Sequence, residues 1–246
     1  GGATAKFLNM FGNDILHYKF EKAGFFCDMP IERAVTTEEM RKSDACTIEN
    51  LTSSEELMLR AGQSILDATI DAQGLGDTVK EPVAVVAGKG NNAGDGYVVA
   101  MLLEEMGIKA DIYLLYPDSF STDGRFYFDK CAEKNLNINT FADDTSLKSY
   151  ATIIEGVFGT GFRGTPEGIA TKGIEAINEA RRNGAYVVSC DINSGINGDT
   201  GEGEIYVESD LTVSIGSFKK GHFMGKSLKA VGSIVNKDIG IVIGQY

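Results

Sequence analysis

The stretch from Val83 to Gly96, VAVVAGKGNNAGDG, restricts what this chain can become more than any other. An apolar run of Val and Ala breaks at Gly88 into glycines and amide side chains, and a periodic apolar segment resumes at Tyr97. That order of chemistry predicts a buried strand, a tight loop and a helix. Glycines at 88, 90, 94 and 96 let the loop backbone approach a ligand, and the free N–H groups and dipole at the start of the next helix favour an anion. The spacing Gly88-x-Gly90-x-x-Ala93 satisfies the loose dinucleotide fingerprint, with Asp118 near the end of the next strand, where a ribose-binding acid sits. A glycine turn that only joins strand to helix satisfies it too. The interior of the loop, Asn91-Asn92-Ala93-Gly94-Asp95, adds carboxamides and a carboxylate that backbone recognition does not need, so side chains are being aimed at something polar.

With 246 residues, 43% of them hydrophobic, the chain can bury one sizeable core and reads as one main domain. A formal net charge of -12 and a pI near 4.7 argue against nucleic-acid binding, since phosphate contact needs a basic face. Cys27, Cys46, Cys131 and Cys190 have neither CxxC nor metal-ligand spacing, and with His17 and His222 the only histidines a zinc site is not expected. Free thiols in a reducing cytosol are the simpler expectation, which makes the location cytoplasmic. No apolar run reaches the roughly eighteen residues that span a bilayer, so no membrane partner is expected. The segment 7–16, broken by Asn9, Gly12, Asn13 and Asp14 and without a basic flank, does not read as a signal peptide.

Thr36-x-x-Glu39 and Ser53-x-x-Glu56 have capping-box spacing, so a helix is expected to begin near each. On the second, Leu57, Ala61, Ile65 and Thr69 share a face, and Ala61-Gly62 is small enough for close packing. Beyond the loop, a helix over 97–106 with Gly107 as C-cap and a strand over 109–116 complete a βαβ unit, parallel by the right-handed crossover. Further helices are expected over 125–134 and 166–183. Strands are expected over 137–141, 150–154, 185–190 and 211–215, with a closing strand or pair within 233–243. The fold class is α/β: a three-layer α/β/α sandwich, Rossmann-like, with a mostly parallel sheet and extra N-terminal helices. Ligands of such a sheet bind outside the carboxyl ends of its strands, so the loop at 88–96, the glycine-rich segment at 155–165 and Asp191 can face one site.

Four segments, GKGNNAGDG at 88–96, EGVFGTGFRGT at 155–165, DINSG at 191–195 and SFKKGH at 217–222, resemble in order the motifs GxGNNGGDG, DALFGTGLxG, DxPSG and APKPGH. Those motifs belong to the YjeF N-terminal domain family, the NAD(P)H-hydrate epimerases. The likeness runs from about Val35 to Ile243, dividing the chain into an N-terminal extension, 1–34, and a YjeF N-terminal-type domain, 35–246. The resemblance implies an isomerase that epimerises the R and S forms of hydrated NADH and NADPH, NADHX and NADPHX, in nicotinamide cofactor repair. It implies Asp191 and Lys219 as catalytic residues. Substrate contacts would come from Asn91, Asn92, Ala93, Gly94 and Asp95, from Gly159, Thr160, Gly161, Phe162, Arg163, Gly164 and Thr165, and from Asp191. A potassium ion would be held by Asn92, Glu155 and Ser194. The partners expected are the small-molecule substrate, a second copy in a homodimer and a functionally linked NAD(P)H-hydrate dehydratase. The chain departs from the family pattern at Ala93, at Glu155 where Asp is usual, and at Asn193 and Lys220 where Pro is usual. Glu155 sets its carboxylate one methylene further out, and Asn193 is expected to cost rigidity.

Each residue has a plainer reading beside this one. Asn91 and Asn92 suit a turn, Asp95 suits an N-cap, Asp191 suits a strand-end turn, Lys219 and Lys220 suit a solvated pair, and His222 suits a satisfied structural imidazole. The aromatics Phe7, Phe11, Tyr18, Phe20, Phe25 and Phe26 suit a segment that covers a surface as well as a partner contact. Two other functions share the fold. A redox dehydrogenase would use the first βαβ unit but leave the amide-rich loop without purpose. A non-catalytic nucleotide-binding or scaffold module would have no need of Asp191 and Lys219.

Overall fold

A computed structural model describes residues 34–245 throughout and, ahead of them, the strands β1 (Lys6–Leu8), β2 (Leu16–Lys19) and β3 (Met29–Ile31), which pair antiparallel in that order. The packing expected of the aromatics in 1–34, and Cys27, lie outside the described residues.

The helices α1 (Thr37–Asn50) and α2 (Ser54–Gln73) begin where the capping spacing predicts. At Thr36 the box is reciprocal: its hydroxyl accepts from Glu39 N–H at 3.1 Å, and the Glu39 carboxylate accepts from Thr36 N–H at 2.7 Å. At Ser53 only half forms, because Glu56 turns its carboxylate to Arg60 at 2.9 Å. The face of α2 that carries Leu57, Ala61, Ile65 and Thr69 is buried.

The main sheet contains β4 (Val83–Ala87), β5 (Ala110–Leu114), β6 (Ile138–Thr140), β7 (Thr152–Gly156), β8 (Tyr186–Cys190), β9 (Leu211–Ile215) and β10 (Ser233–Lys237). Their order is β10-β9-β8-β7-β4-β5-β6, and every pairing is parallel. The chain builds outward from β4 to β6, returns to lay β7 on the other side of β4, and builds outward again to β10. The order therefore reverses between β4 and β7, where an open parallel sheet offers its ligand crevice. Helices α3 (Asn91–Glu105) and α4 (Thr122–Glu133) join α2 on one face, and α5 (Ile169–Arg182) covers the other. Alternate residues of β4 serve the two cores, Val83, Val85 and Ala87 on one side and Ala84 and Val86 on the other.

Several boundaries differ from the sequence reading, for tertiary reasons. α3 begins at Asn91, not Tyr97, with Gly90 as an extended N-cap that makes no side-chain cap, so only 88–90 remain as loop. Asp95 lies one turn inside the helix and is not its N-cap. Asn-Asn-Ala-Gly-Asp-Gly is a poor helix former alone, and packing overrides propensity here. β7 runs on to Gly156 and takes Glu155 into the sheet. α5 starts at Ile169, and the closing segment forms one strand, parallel to β9. A 3-10 turn at Lys220–Phe223 and a short helix α6 (Ser227–Ala230) fill a stretch that reads as loop.

Candidate active site

The switch point presses two backbones together. A Cβ on Gly88 would lie 1.9 Å from Val157 O, and one on Gly156 would lie 2.3 Å from Asn92 O. Only glycine permits either approach, and together they seat the amino end of α3 on the carboxyl end of β7. The Asn92 amide closes the seam by donating from Nδ2 to Phe158 O at 2.8 Å. Glu155, fully buried, stands opposite Ser189 in the parallel register. Its Oε1 accepts from Ser189 Oγ at 2.6 Å and Ser194 N–H at 3.1 Å, and its Oε2 accepts from Ser194 Oγ and from Val157 N–H at 3.3 Å. The added methylene is thus absorbed by folding the carboxylate toward Ser189 and Ser194. Burial pushes the Glu155 pKa up, and these donors oppose the push.

Asn92 Oδ1 in the same seam is buried and has no donor among the described residues. An orphaned carbonyl oxygen is costly in a protein interior unless something positive meets it. A carboxamide, a carboxylate and a hydroxyl are all oxygen donors, which a hard cation prefers and a thiolate-seeking metal does not. The residues present fit a hard cation.

At the end of β8, Asp191 turns the chain with φ 63°, a left-handed conformation that Asp tolerates better than most residues. Its Oδ1 accepts from Ile215 N–H at 2.9 Å and from Lys219 Nζ. Lys219 is fully buried and gives a second N–H to Ile215 O at 2.7 Å, so it is not half of a solvated pair. Asp191 Oδ2 accepts no hydrogen bond among the described residues, and 17% of the side chain stays exposed. His222 braces both: Nδ1 accepts from Lys219 N–H at 3.0 Å, and Nε2 donates to Asp191 O at 2.8 Å. An imidazole that accepts on one nitrogen and donates on the other is neutral, and burial, with Lys219 adding to it, lowers its pKa to about 4. Val35 closes over the same segment, with its N–H on Phe218 O at 2.8 Å and its carbonyl accepting from Lys220 N–H at 2.9 Å.

Two more carboxyls feel this pair. Burial raises Asp95 well above the usual carboxylate range, with Asp191 and Asp44 adding repulsion and Lys219 opposing. Asp44 on α1 is raised by burial and then by Asp123 and Asp191.

Asn193 does not cost rigidity. Its buried amide shares its hydrogens among Ser209 Oγ at 2.9 Å, Ala230 O at 2.9 Å and Val207 O at 3.1 Å, and its Oδ1 accepts from Thr212 Oγ1 at 2.9 Å. Hydrogen bonds to three segments hold the turn that a proline ring would otherwise stiffen.

The expected substrate residues fall into unlike settings. Asn92, Gly159 and Asp191 lie at adjoining strand ends, Asn91 and the span 163–165 are exposed, and Thr160 and Phe162 are half-buried with Phe162 stacked on Phe158 at 4.3 Å. Ala93 is buried. Gly94 is small for a reason other than ligand approach: a Cβ there would lie 2.3 Å from the Met58 sulfur and 3.1 Å from Gly124 Cα. Arg163 is engaged within the protein, by Thr160 O, Phe162 O, Thr37 Oγ1 and Asp199 Oδ2. Sequence reasoning missed Ser189, Thr37 and Asp199. Ser189 has no local signature, being set beside Glu155 only by strand register.

A parallel sheet whose order reverses between β4 and β7, with an acid–lysine pair at one strand end and a glycine-rich loop at the next, defines a doubly wound α/β protein, a class that takes its ligands at that edge. The chain belongs to the YjeF-related protein N-terminus family, whose model matches residues 54–221. The NAD(P)H-hydrate epimerase of Weissella koreensis is 32% identical over 213 residues, covering 85% of this chain and 91% of that protein. The bifunctional NAD(P)H-hydrate repair enzyme Nnr of Thermofilum pendens is 32% identical over 178 residues, 69% of this chain. The chain spans 33% of that protein's length and 40% of the Coxiella burnetii protein of the same name. The crystal structure of yeast ynu0 shares the fold, with a TM-score of 0.69 at 19% identity over 83% of this chain and 87% of that one.

Proposed function

We propose that this chain is an isomerase that epimerises the R and S forms of hydrated NADH and NADPH in nicotinamide cofactor repair. Relatives named NAD(P)H-hydrate epimerase support the activity. The observation that carries it is Asp191, whose Oδ1 is held by Lys219 and Ile215 N–H at the carboxyl edge of the sheet while its Oδ2 accepts no hydrogen bond among the described residues.

C6 of the hydrated ring bears a hydroxyl and the ring nitrogen. Asp191 takes the hydroxyl proton, the C6–N bond breaks as C6=O forms, and the nitrogen gains a proton. Closure onto the other face of the carbonyl reverses each transfer and gives the other epimer. Loss of the hydroxyl as water, assisted by the nitrogen lone pair, and re-addition is the equivalent route, with Asp191 acting first as acid. Lys219 positions Asp191 and steadies negative charge on oxygen. His222, neutral above a pKa of about 4, stays out of the proton transfer. The uncapped amino end of α3, with Lys89 beside it, suits the pyrophosphate, and 91–95 and 159–165 flank it.

Asn92, Glu155 and Ser194 would hold a potassium ion, which when bound offsets the buried carboxylate and stiffens the seam. Residues 35–246 form the family domain in this reading and 1–34 an extension, a boundary that the bridge from Val35 to Lys219 supports. A homodimer, a cytoplasmic setting and a dehydratase partner go with it, the last supported by the relatives named bifunctional repair enzymes. No helix among the described residues is long and apolar enough to cross a membrane.

Asp191→Asn is expected to keep substrate binding and lose about a hundred- to ten-thousand-fold in turnover, measured against a protein-free control. Turnover within a few-fold of the parent would put the acid/base elsewhere. The same assay in tetramethylammonium in place of potassium is expected to run slower, and equal rates would remove the ion from the reading.

A further inference from the structure

A cation in the exposed 159–165 loop invites the reading that Arg163 binds a substrate phosphate, but its guanidinium is already committed. Nη1 donates to Thr160 O at 2.8 Å and Phe162 O at 2.7 Å, pinning the group to its own loop. Nη2 donates to Thr37 Oγ1 at 2.7 Å and Asp199 Oδ2 at 3.1 Å, tying the loop to the start of α1 and to the turn after Asp191. Asp199 is itself built in. Its two oxygens accept from Thr37 N–H and Thr37 Oγ1, each at 2.7 Å, and its own N–H donates to Asn197 Oδ1 at 2.9 Å. A Cβ on the neighbouring Gly198 would lie 2.5 Å from Thr37 Cγ2 and 3.2 Å from Ile192 Cδ1, and Gly198 O accepts from Gly221 N–H at 2.8 Å. The turn that carries Asp199 is thus wedged between the residue after Asp191 and the segment that carries Lys219. The near end of the loop is anchored separately, Phe158 N–H on Ser194 Oγ at 2.8 Å and Phe158 O on Asn92. Within the loop Phe162 stacks on Phe158 and gives its N–H to Gly159 O, and a Cβ on Gly161 or Gly164 would meet nothing within 4 Å, so the loop leans on its two anchors.

We propose that Asp199 is a positioning residue: through Arg163 and Thr37 it fixes the far end of the 159–165 loop beside the crevice. Arg163 then acts on substrate binding through loop position and not as an anion ligand. The inference rests on the reading of the site as one that binds hydrated dinucleotide. Asp199→Asn keeps an acceptor for Thr37 N–H, so α1 stays capped, and removes the charge that holds Arg163. It is expected to raise KM for NADHX roughly tenfold with kcat within a few-fold of the parent, more than an exposed ion pair alone gives and less than a misplaced reacting group costs. Arg163→Ala should do the same, and the double variant should add little to either, because the pair acts as one unit. Hydrogen exchange of the 159–165 amides should quicken in both single variants. That readout needs no catalysis, so a parent without epimerase activity would sink the functional reading while exchange still judged the latch. A KM rise in Arg163→Ala alone, additive losses in the double variant, or unchanged exchange in both would overturn the proposal.

Discussion

Lys219 has no contact with solvent, and a buried ammonium is tolerated only with a partner; Asp191 and Ile215 O supply it. His222 then fixes the backbone of both residues as a neutral ring, which has a consequence for stability. Its folded pKa, about 4, lies below the ordinary 6.5, so above pH 6.5 it is neutral folded and unfolded and adds no pH dependence. As pH falls from 6.5 toward 4, the unfolded chain takes a proton that the native ring refuses, and stability is lost, by about 3 kcal/mol across the window. His222→Gln can accept and donate without titrating. Urea unfolding at pH 7 and pH 5 should therefore show a larger fall for the parent than for the variant, and equal falls would show that His222 is not the source. The sequence singles out Asp191 at the end of an apolar run and Lys219 through the family resemblance, but not their contact, since Lys219 beside Lys220 reads alone as a solvated pair. The reach of Glu155 to Ser189 is not legible, since it exists only once strands 34 residues apart lie in register, and neither is the Asn92 Oδ1 without a donor among the described residues, buried where α3 meets the end of β7.

The first turn of α3 shows what an element owes to its neighbours. Read along the chain, 91–96 is turn chemistry, and nothing local argues for a helix. Read in the fold, Gly94 and Gly96 are the places where α2, α4 and β4 come too close for a side chain, and that packing extends the helix back to Asn91. Gly94→Val should therefore act on folding. Forcing a branched side chain against Met58 and Gly124 is expected to cost about 1–3 kcal/mol, seen as a lowered thermal midpoint, whereas Gly90→Ala, with open space at its Cβ, should unfold like the parent. A Gly94→Val protein with parental stability and only weakened substrate binding would restore ligand approach as the reason for this glycine. The N-caps at Thr36 and Ser53 and the strands are legible because caps and apolar runs are local signals. The 3-10 turn at Lys220–Phe223 was not, because it is held by contacts to Gly198 and Val35 from elsewhere in the chain.

For the whole molecule, the decisive property is the sheet order. Building outward twice from β4 leaves β4 and β7 adjacent with their carboxyl ends open, and β8 next to them, so three segments distant in sequence end along one edge. Alternating strand and helix patterns made the layered fold legible, since parallel strands need crossover helices and right-handed crossovers leave few topologies. What sequence could not give was depth: which carboxyls burial pushes up, which oxygen of Asp191 the protein leaves without a donor among the described residues, and which cation is already engaged. On the reading proposed above, this edge epimerises a hydrated nicotinamide. The most direct test is to incubate purified R-NADHX with the protein in potassium buffer and follow the S epimer by chromatography beside a protein-free sample. S-NADHX is expected to form at a rate proportional to protein concentration until the two epimers reach equilibrium; S-NADHX appearing no faster than in the protein-free sample would overturn the epimerase reading.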